Sequence, residues 1–169
     1  MIRAVCFAVV MMLVGCTSAP KGIEPVDEFA LPKYLGTWYE IARLDHSFER
    51  GLSQVTAQYS LREDGGVKVI NRGYSKEDKE WSEAEGKAYF VEDSSTGHLK
   101  VSFFGPFYGA YVVFDLDEDY QQAFVSGPDR SYLWFLSRTP TVSEADKQRF
   151  IQAARAKGFD TDELIFVEQ

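Results

Sequence analysis

Cysteine is nearly absent: the 169-residue chain has two, Cys6 and Cys16, both within its first sixteen residues. No disulfide framework can therefore staple the body of the fold, which must rest on its own core. Histidine is equally scarce, with only His46 and His98, so a zinc or haem site is poorly supplied and no metal or cofactor is expected. The Gly-x-Ser-x-Gly and Gly-x-x-x-x-Gly-Lys patterns of common hydrolases and nucleotide-binding proteins do not occur. Basic residues number 18 against 26 acidic ones, a formal charge of −8, and no Lys/Arg cluster offsets it. Such a surface repels phosphate backbones, which argues against nucleic acid as a partner. Long apolar runs are missing too. The longest, Ala4 to Val14, falls well short of the roughly 20 residues that a helix needs to cross a bilayer.

What the chain does have is apolar and aromatic substance: 45% hydrophobic and 15% aromatic residues, enough for one domain with a real core. Its first fifteen residues carry a basic start at Arg3, the apolar run and a small residue, Gly15, before Cys16, which is signal-peptide anatomy for residues 1–15. A Cys6–Cys16 disulfide is the alternative use of the two thiols, but Cys6 lies in the stretch expected to be removed. Leu13-Val14-Gly15-Cys16 resembles the bacterial lipobox, which implies a diacylglycerol on the Cys16 thiol, cleavage before it and acylation of the new amine. The competing view is an ordinary secretory signal with an incidental cysteine. Thr17 follows the cysteine where an aspartate would retain such lipoproteins at the inner membrane. The resemblance therefore implies an outer-membrane address, with the domain facing the periplasm. Residues 16–31 contain Pro20, Gly22 and Pro25 without periodicity and read as a lipidated N-terminus and flexible tether, leaving 32–169 as the domain.

From Thr37 onward, short runs rich in Val, Ile, Tyr, Phe and Trp alternate with Gly, Asp, Ser and Pro clusters. That rhythm predicts eight strands, at about 37–44, 54–62, 67–74, 83–92, 98–103, 110–116, 121–126 and 132–138, with Asp64-Gly65-Gly66 as a tight hairpin turn. Eight antiparallel strands can close into a barrel wide enough for one small ligand. Beyond Arg138, Thr139-Pro140 stops the last strand. Ser143 and Asp146 form a capping box, and Lys147, Phe150, Ile151 and Ala154 fall at helical spacing before Gly158. The fold class expected is all-β: an eight-stranded antiparallel up-and-down β-barrel, with this α-helix packed outside by its narrow apolar stripe and a short final strand, Leu164–Val167, beside it.

Gly36-Thr37-Trp38 within Tyr34–Arg43 resembles the opening signature of the lipocalins. Asp119-Tyr120, in the turn after Leu116, is similar to their second motif but lacks its usual preceding threonine. Arg138, closing the last strand in Leu133–Pro140, is similar to the third. The order and spacing of all three agree, the resemblance covers roughly residues 33–169, and the wording is nearest to the bacterial outer-membrane branch of the family. Physically, Gly36 lets the chain turn closely beneath the barrel, Trp38 lays a ring across its narrow end and Arg138 stacks over that ring. The resemblance implies a binding protein that stores or ferries fatty acids, lysophospholipids or similar lipids for envelope maintenance, and not an enzyme.

Residues two apart in a strand share a face. If Arg138 sets the inward phase, Leu136, Trp134 and Tyr132 line the cavity, while Phe135 and Leu133 face the helix. Lys87 argues that Ala88 and Phe90 are the inward set on the fourth strand. The sixth strand is apolar on both phases; Val112 and Phe114 are taken as inward, against Tyr111 and Val113. Such a lumen suits an acyl chain, whose burial is worth about 0.8 kcal/mol per methylene. Tyr108, Tyr132 or Arg43 would hold a polar head near the rim. Two other readings compete: an enzyme acting on a hydrophobic substrate, which needs an acid–base group such as His98 or Glu85 to reach the lumen, and an envelope docking module whose lumen is filled by its own side chains. Asp45-His46-Ser47 reads as a polar loop, because chain neighbours point apart and make no relay. The aromatic stretch from Phe103 to Tyr108 guards the mouth, packs against a second copy, or simply caps the core. Sedimentation tests the homodimer: a mass that rises with concentration supports it, and a monomer mass at all concentrations removes it.

Overall fold

The computed structural model describes residues 16–169, so the leader expected at 1–15 lies outside the described residues. Strands β1 (Gly36–Leu44), β2 (Leu52–Leu61), β3 (Val67–Ser75), β4 (Glu80–Phe90), β5 (His98–Phe104), β6 (Phe107–Leu116), β7 (Gln122–Ser126) and β8 (Leu133–Ser137) each pair antiparallel with the next. β8 then pairs with β1, which closes the barrel. The hairpin turn expected at Asp64-Gly65-Gly66 joins β2 to β3, where Gly65 takes φ 83° and the Asp64 carboxylate accepts from the Gly66 amide. A single-turn helix, α1 (Leu31–Tyr34), precedes β1. Helix α2 (Glu144–Ala156) begins with Ser143 and Asp146 capping each other reciprocally.

The core has two layers. Inside the barrel, Trp38, Ala57, Tyr59, Val67, Val69 and Leu99 face one another. Outside, α2 buries Phe150 and Ala154 against Leu133, Phe124 and Phe135, the phase of β8 opposite to its lumen face. Phe150 packs on Phe135 and Phe124 at centroid distances of 5.0 and 4.9 Å. The final strand, β9 (Leu164–Phe166), pairs with Ala42–Leu44 of β1 and lies beside the helix, with Lys147 of α2 5.7 Å from the centre of the Phe166 ring. β1 meets β2 only over Gly36–Tyr39, so the mouthward half of that seam is open to the C-terminal segment. The Glu168 carbonyl accepts from the Gln54 amide, and the Gln169 side chain donates to the carbonyls of Glu40 and Val55, bridging the two strands.

The segment read as a flexible tether is laid against the barrel. The Cys16 carbonyl accepts from the Ala110 amide at 2.6 Å, the Thr17 carbonyl contacts His98 Nε2, and Val26 bonds to Val113 and Gly97. Ile23 and Phe29 are both buried, Ile23 in the outer layer and Phe29 under the barrel floor. These two apolar side chains offset the cost of ordering a stretch with no periodicity of its own.

At the narrow end, the Arg138 guanidinium lies 3.9 Å from the centre of the Trp38 ring. Its nitrogens donate to the carbonyls of Thr37, Lys33 and Tyr120 at 3.0, 2.8 and 3.2 Å. Trp38 Nε1 donates to the Tyr34 carbonyl. Gly36 sits at φ 102°, and a Cβ there would meet Arg138 Nη1 at 3.2 Å, so the floor needs glycine for both backbone and space. Truncating Arg138 to alanine removes the ring stack and strands three carbonyls. It is expected to destabilise by about 2–4 kcal/mol, with Arg138→Lys recovering less than half, as read from urea unfolding midpoints.

Candidate functional site: the barrel lumen

Above this floor lies a cavity of about 260 Å³. Tyr132 in the loop just before β8, Trp134 and Leu136 of β8, Ala88 of β4, and Val101 and Phe103 of β5 form part of its wall. Phe90 points inside as expected but lies low, packed edge-on against Phe29 at 6.0 Å, and is covered from the cavity. The sixth strand turns the other way from its expected phase. Tyr111 faces the lumen and Val113 the inner core, whereas Val112 and Phe114 belong to the outer layer, where Phe114 stacks on Phe159 at 5.9 Å. The reason is the docked N-terminal segment: Ala19 and Ile23 cover the outer face of β6, so both its phases are buried and both must be apolar. Tyr108 is likewise outside, packed near Tyr89 with Lys100 over its ring at 5.0 Å.

The lumen also carries polar groups that pattern reading missed. Three phenols form a chain: Tyr111 Oη lies 2.7 Å from Tyr34 Oη and 2.9 Å from Tyr59 Oη. Burial pushes all three well above the usual tyrosine range, so they stay neutral and hydrogen-bonded. Nearer the mouth, Glu40 and Glu49 reach the cavity. A bulge in β1 between Glu40 and Ala42 brings Arg43 to the same side as Glu40, and Arg43 Nη1 donates to Glu40 Oε1 at 3.0 Å. Arg43 Nη2 also donates to the Glu49 carbonyl, so this arginine is committed to buried partners and is not a rim cation. His46 is buried, not part of an open polar loop, and its Nε2 lies 2.6 Å from Glu49 Oε2, which also accepts from Trp134 Nε1 at 3.0 Å. Phe48 and Tyr132 stack beside it at 6.4 Å.

Burial, reinforced by the neighbouring Glu49, raises the Glu40 carboxyl above the usual range despite Arg43. For Glu49, burial acts upward, but the hydrogen bond and charge of His46 prevail and hold it low. The lumen is therefore an apolar wall with a neutral phenol chain within it and a mostly paired acidic cluster at its mouth. Glu40 was legible in one respect: it follows Trp38 by two residues and so shares its inward face. The tyrosine chain joins α1, β2 and β6, which are distant in the chain, and left no local signal.

The two groups named for the enzymatic reading do not reach this space, although the Glu40 and Glu49 carboxyls do. His98 faces outward onto the Thr17 carbonyl, and Glu85 is exposed beside Lys68 at 3.6 Å. Among the described residues, no group of three or more His, Cys, Asp or Glu is arranged to hold a metal ion, and no helix is long and apolar enough to cross a membrane.

A closed eight-stranded antiparallel barrel with a plugged floor and an apolar lumen defines a lipocalin-type binding barrel. The chain belongs to the lipocalin family: residues 29–169 match the family described as a lipocalin-like domain. It is similar to the outer membrane lipoprotein Blc of Vibrio cholerae serotype O1, 62% identical over 160 residues and covering 94% of each chain. It is also similar to Blc of Escherichia coli K12, with 54% identity over 94% of this chain and 90% of that one. Among solved structures, insecticyanin from the tobacco hornworm Manduca sexta superposes with a TM-score of 0.70 over 90% of this chain and 87% of that one. At 18% identity, that likeness concerns the fold.

The raised Glu40 carboxyl means the folded chain holds a proton there that the unfolded chain releases, so stability falls as pH rises above the ordinary glutamate value of about 4.3. Glu49 acts oppositely, losing its contribution as pH falls through its lowered value. Thermal midpoints across pH check this. Glu40→Gln should flatten the decline on the alkaline side and leave the acid limb intact; an unchanged alkaline slope would show that Glu40 is ionised in the fold.

Proposed function

We propose that this lipocalin is tied to the outer membrane through an acylated Cys16 and holds a fatty acid, lysophospholipid or similar single-chain amphiphile in its barrel. It would store or transport such lipids for envelope maintenance, with the domain on the periplasmic side. The observation that carries the reading is the composition of the lumen: apolar walls from Leu136, Val101, Val67 and Val69, with Glu40, Glu49 and Tyr132 also on its lining. A lipid tail leaves water for the wall at about 0.8 kcal/mol per methylene, while its head stays near polar groups and solvent. The Leu13–Cys16 pattern and the printed description of the Blc relatives as outer membrane lipoproteins support the anchor and the address. Partition into a cavity needs no reacting group.

Titration with palmitate and palmitoyl-lysophosphatidylcholine, followed by native mass spectrometry and tryptophan fluorescence, tests this reading. One-to-one binding is expected, with a fluorescence change lost in Trp134→Ala and no saturation with short-chain analogues. Ala88→Phe fills the lumen from its wall and should weaken binding at least tenfold, about 1.4 kcal/mol, while the barrel remains folded by circular dichroism. A folded wild-type barrel that takes up none of these lipids would favour the docking-module reading instead.

A further inference from the structure

The β5–β6 hairpin ends in Phe104-Gly105-Pro106-Phe107, and its two phenylalanines are 81% and 75% exposed. No other large apolar side chain among the described residues is as open. The interior does not need them: their neighbour Phe103 turns inward and lines the cavity. Two such rings standing in water at the tip of a hairpin imply a surface that covers them.

The position of Cys16 indicates which surface. β6 pairs with β7 only from Val112 onward, and the Ala110 amide beyond that point donates to the Cys16 carbonyl. Phe107 is three strand residues further along, roughly 10 Å at 3.3 Å per residue. Acyl chains on Cys16 would therefore enter lipid within about that distance of the tip, with no free linker between anchor and barrel. The surroundings suit a lipid interface. Tyr89 and Tyr108 lie together behind the tip at 6.4 Å, and Lys100 sits over Tyr108. Lys87 shares the outward phase of Tyr89 on β4. Tyrosine and lysine are the residues that sit at the head-group level, with apolar stems toward lipid and polar ends in water. Lys87 and Lys100 also set two positive charges near the tip in a chain whose formal charge is −8.

We propose that the Phe104–Phe107 tip is a membrane-contact element that inserts into the phospholipid leaflet holding the Cys16 anchor. The inference rests on the anchor reading above. Three acyl chains already hold a protein firmly, so the tip adds orientation more than affinity. Phe103 and Gly109, which flank the tip, line the cavity, so insertion brings the mouth to the leaflet. A lipid tail then moves between leaflet and lumen with little exposure to water.

The test uses the full-length protein purified from Gram-negative membranes and reconstituted into phosphatidylethanolamine–phosphatidylglycerol vesicles, some carrying lipids brominated in mid-chain. Phe107→Trp adds a tryptophan at the tip, and Asp162→Trp adds one in the turn before β9 as a control. Difference spectra against the unsubstituted protein should show blue-shifted emission quenched by bromolipid at 107, and neither effect at 162. Aqueous, unquenched emission at 107 would overturn the proposal. So would a blue shift that needs no vesicles and grows with protein concentration, since the tip would then be a contact between two copies. Mass spectrometry of the Cys16 peptide reads the anchor separately. If Cys16 carries no lipid, the anchor reading fails, and the tip proposal stands only if adding vesicles still quenches the probe at 107.

Discussion

The stack of Arg138 on Trp38 is the contact on which the rest of the barrel depends. A sheet closed on itself has two ends, and a lumen can keep lipid from water only if one end is sealed. Here a flat cation covers a flat ring at 3.9 Å and spends its donors on three backbone carbonyls from α1, β1 and the turn before β7. Arginine does this where lysine cannot, because its donors form a planar fork while its face stays free to stack. Gly36 makes room for it, Tyr34 packs against the ring at 4.9 Å, and Phe29 packs against Tyr34 at 5.1 Å. Everything above that plane can then remain open toward the mouth.

Above the floor, the interior combines opposed requirements. An apolar wall favours a lipid tail, yet the lumen holds Tyr34, Tyr59 and Tyr111, with Glu40 and Glu49 near the mouth. Each would be costly if unpaired. The phenols bond to one another and remain neutral, Glu40 is pushed toward its protonated form, and Glu49 lies 2.6 Å from His46 Nε2 and accepts from the Trp134 indole. The polar groups are thereby satisfied in a lumen that is mainly apolar, which is the condition for accepting an amphiphile.

Both chain termini of the described region are part of the barrel wall. Residues 16–26 run along β6, and the residues after β9 bridge the mouthward gap between β1 and β2. The first of these contacts fixes Cys16, the proposed attachment point, beside an exposed aromatic tip, so in the proposed reading the direction in which the barrel meets the membrane is a property of the fold.

The sequence by itself determined the number, order and approximate limits of the eight barrel strands, the capped helix and its buried face, and the floor residues Gly36, Trp38 and Arg138. Each of these is written locally, as period-two alternation, a capping box or a short motif. It also placed Tyr132, Trp134, Leu136 and Ala88 correctly toward the lumen, because a polar or charged neighbour or the fixed phase of Arg138 identified one face. Where both faces of a strand are covered, that signal vanishes, and β6 was assigned backwards: Val112 and Phe114 lie under the N-terminal segment, while Tyr111 looks inward. Only the tertiary structure decided the docking of residues 16–30, the seat of β9 on β1, the tyrosine chain and the cluster of Glu40, Arg43, His46 and Glu49. These arise from segments far apart in the chain, or from a bulge that shifts a strand's phase, and periodicity along one segment carries no information about what another brings against it.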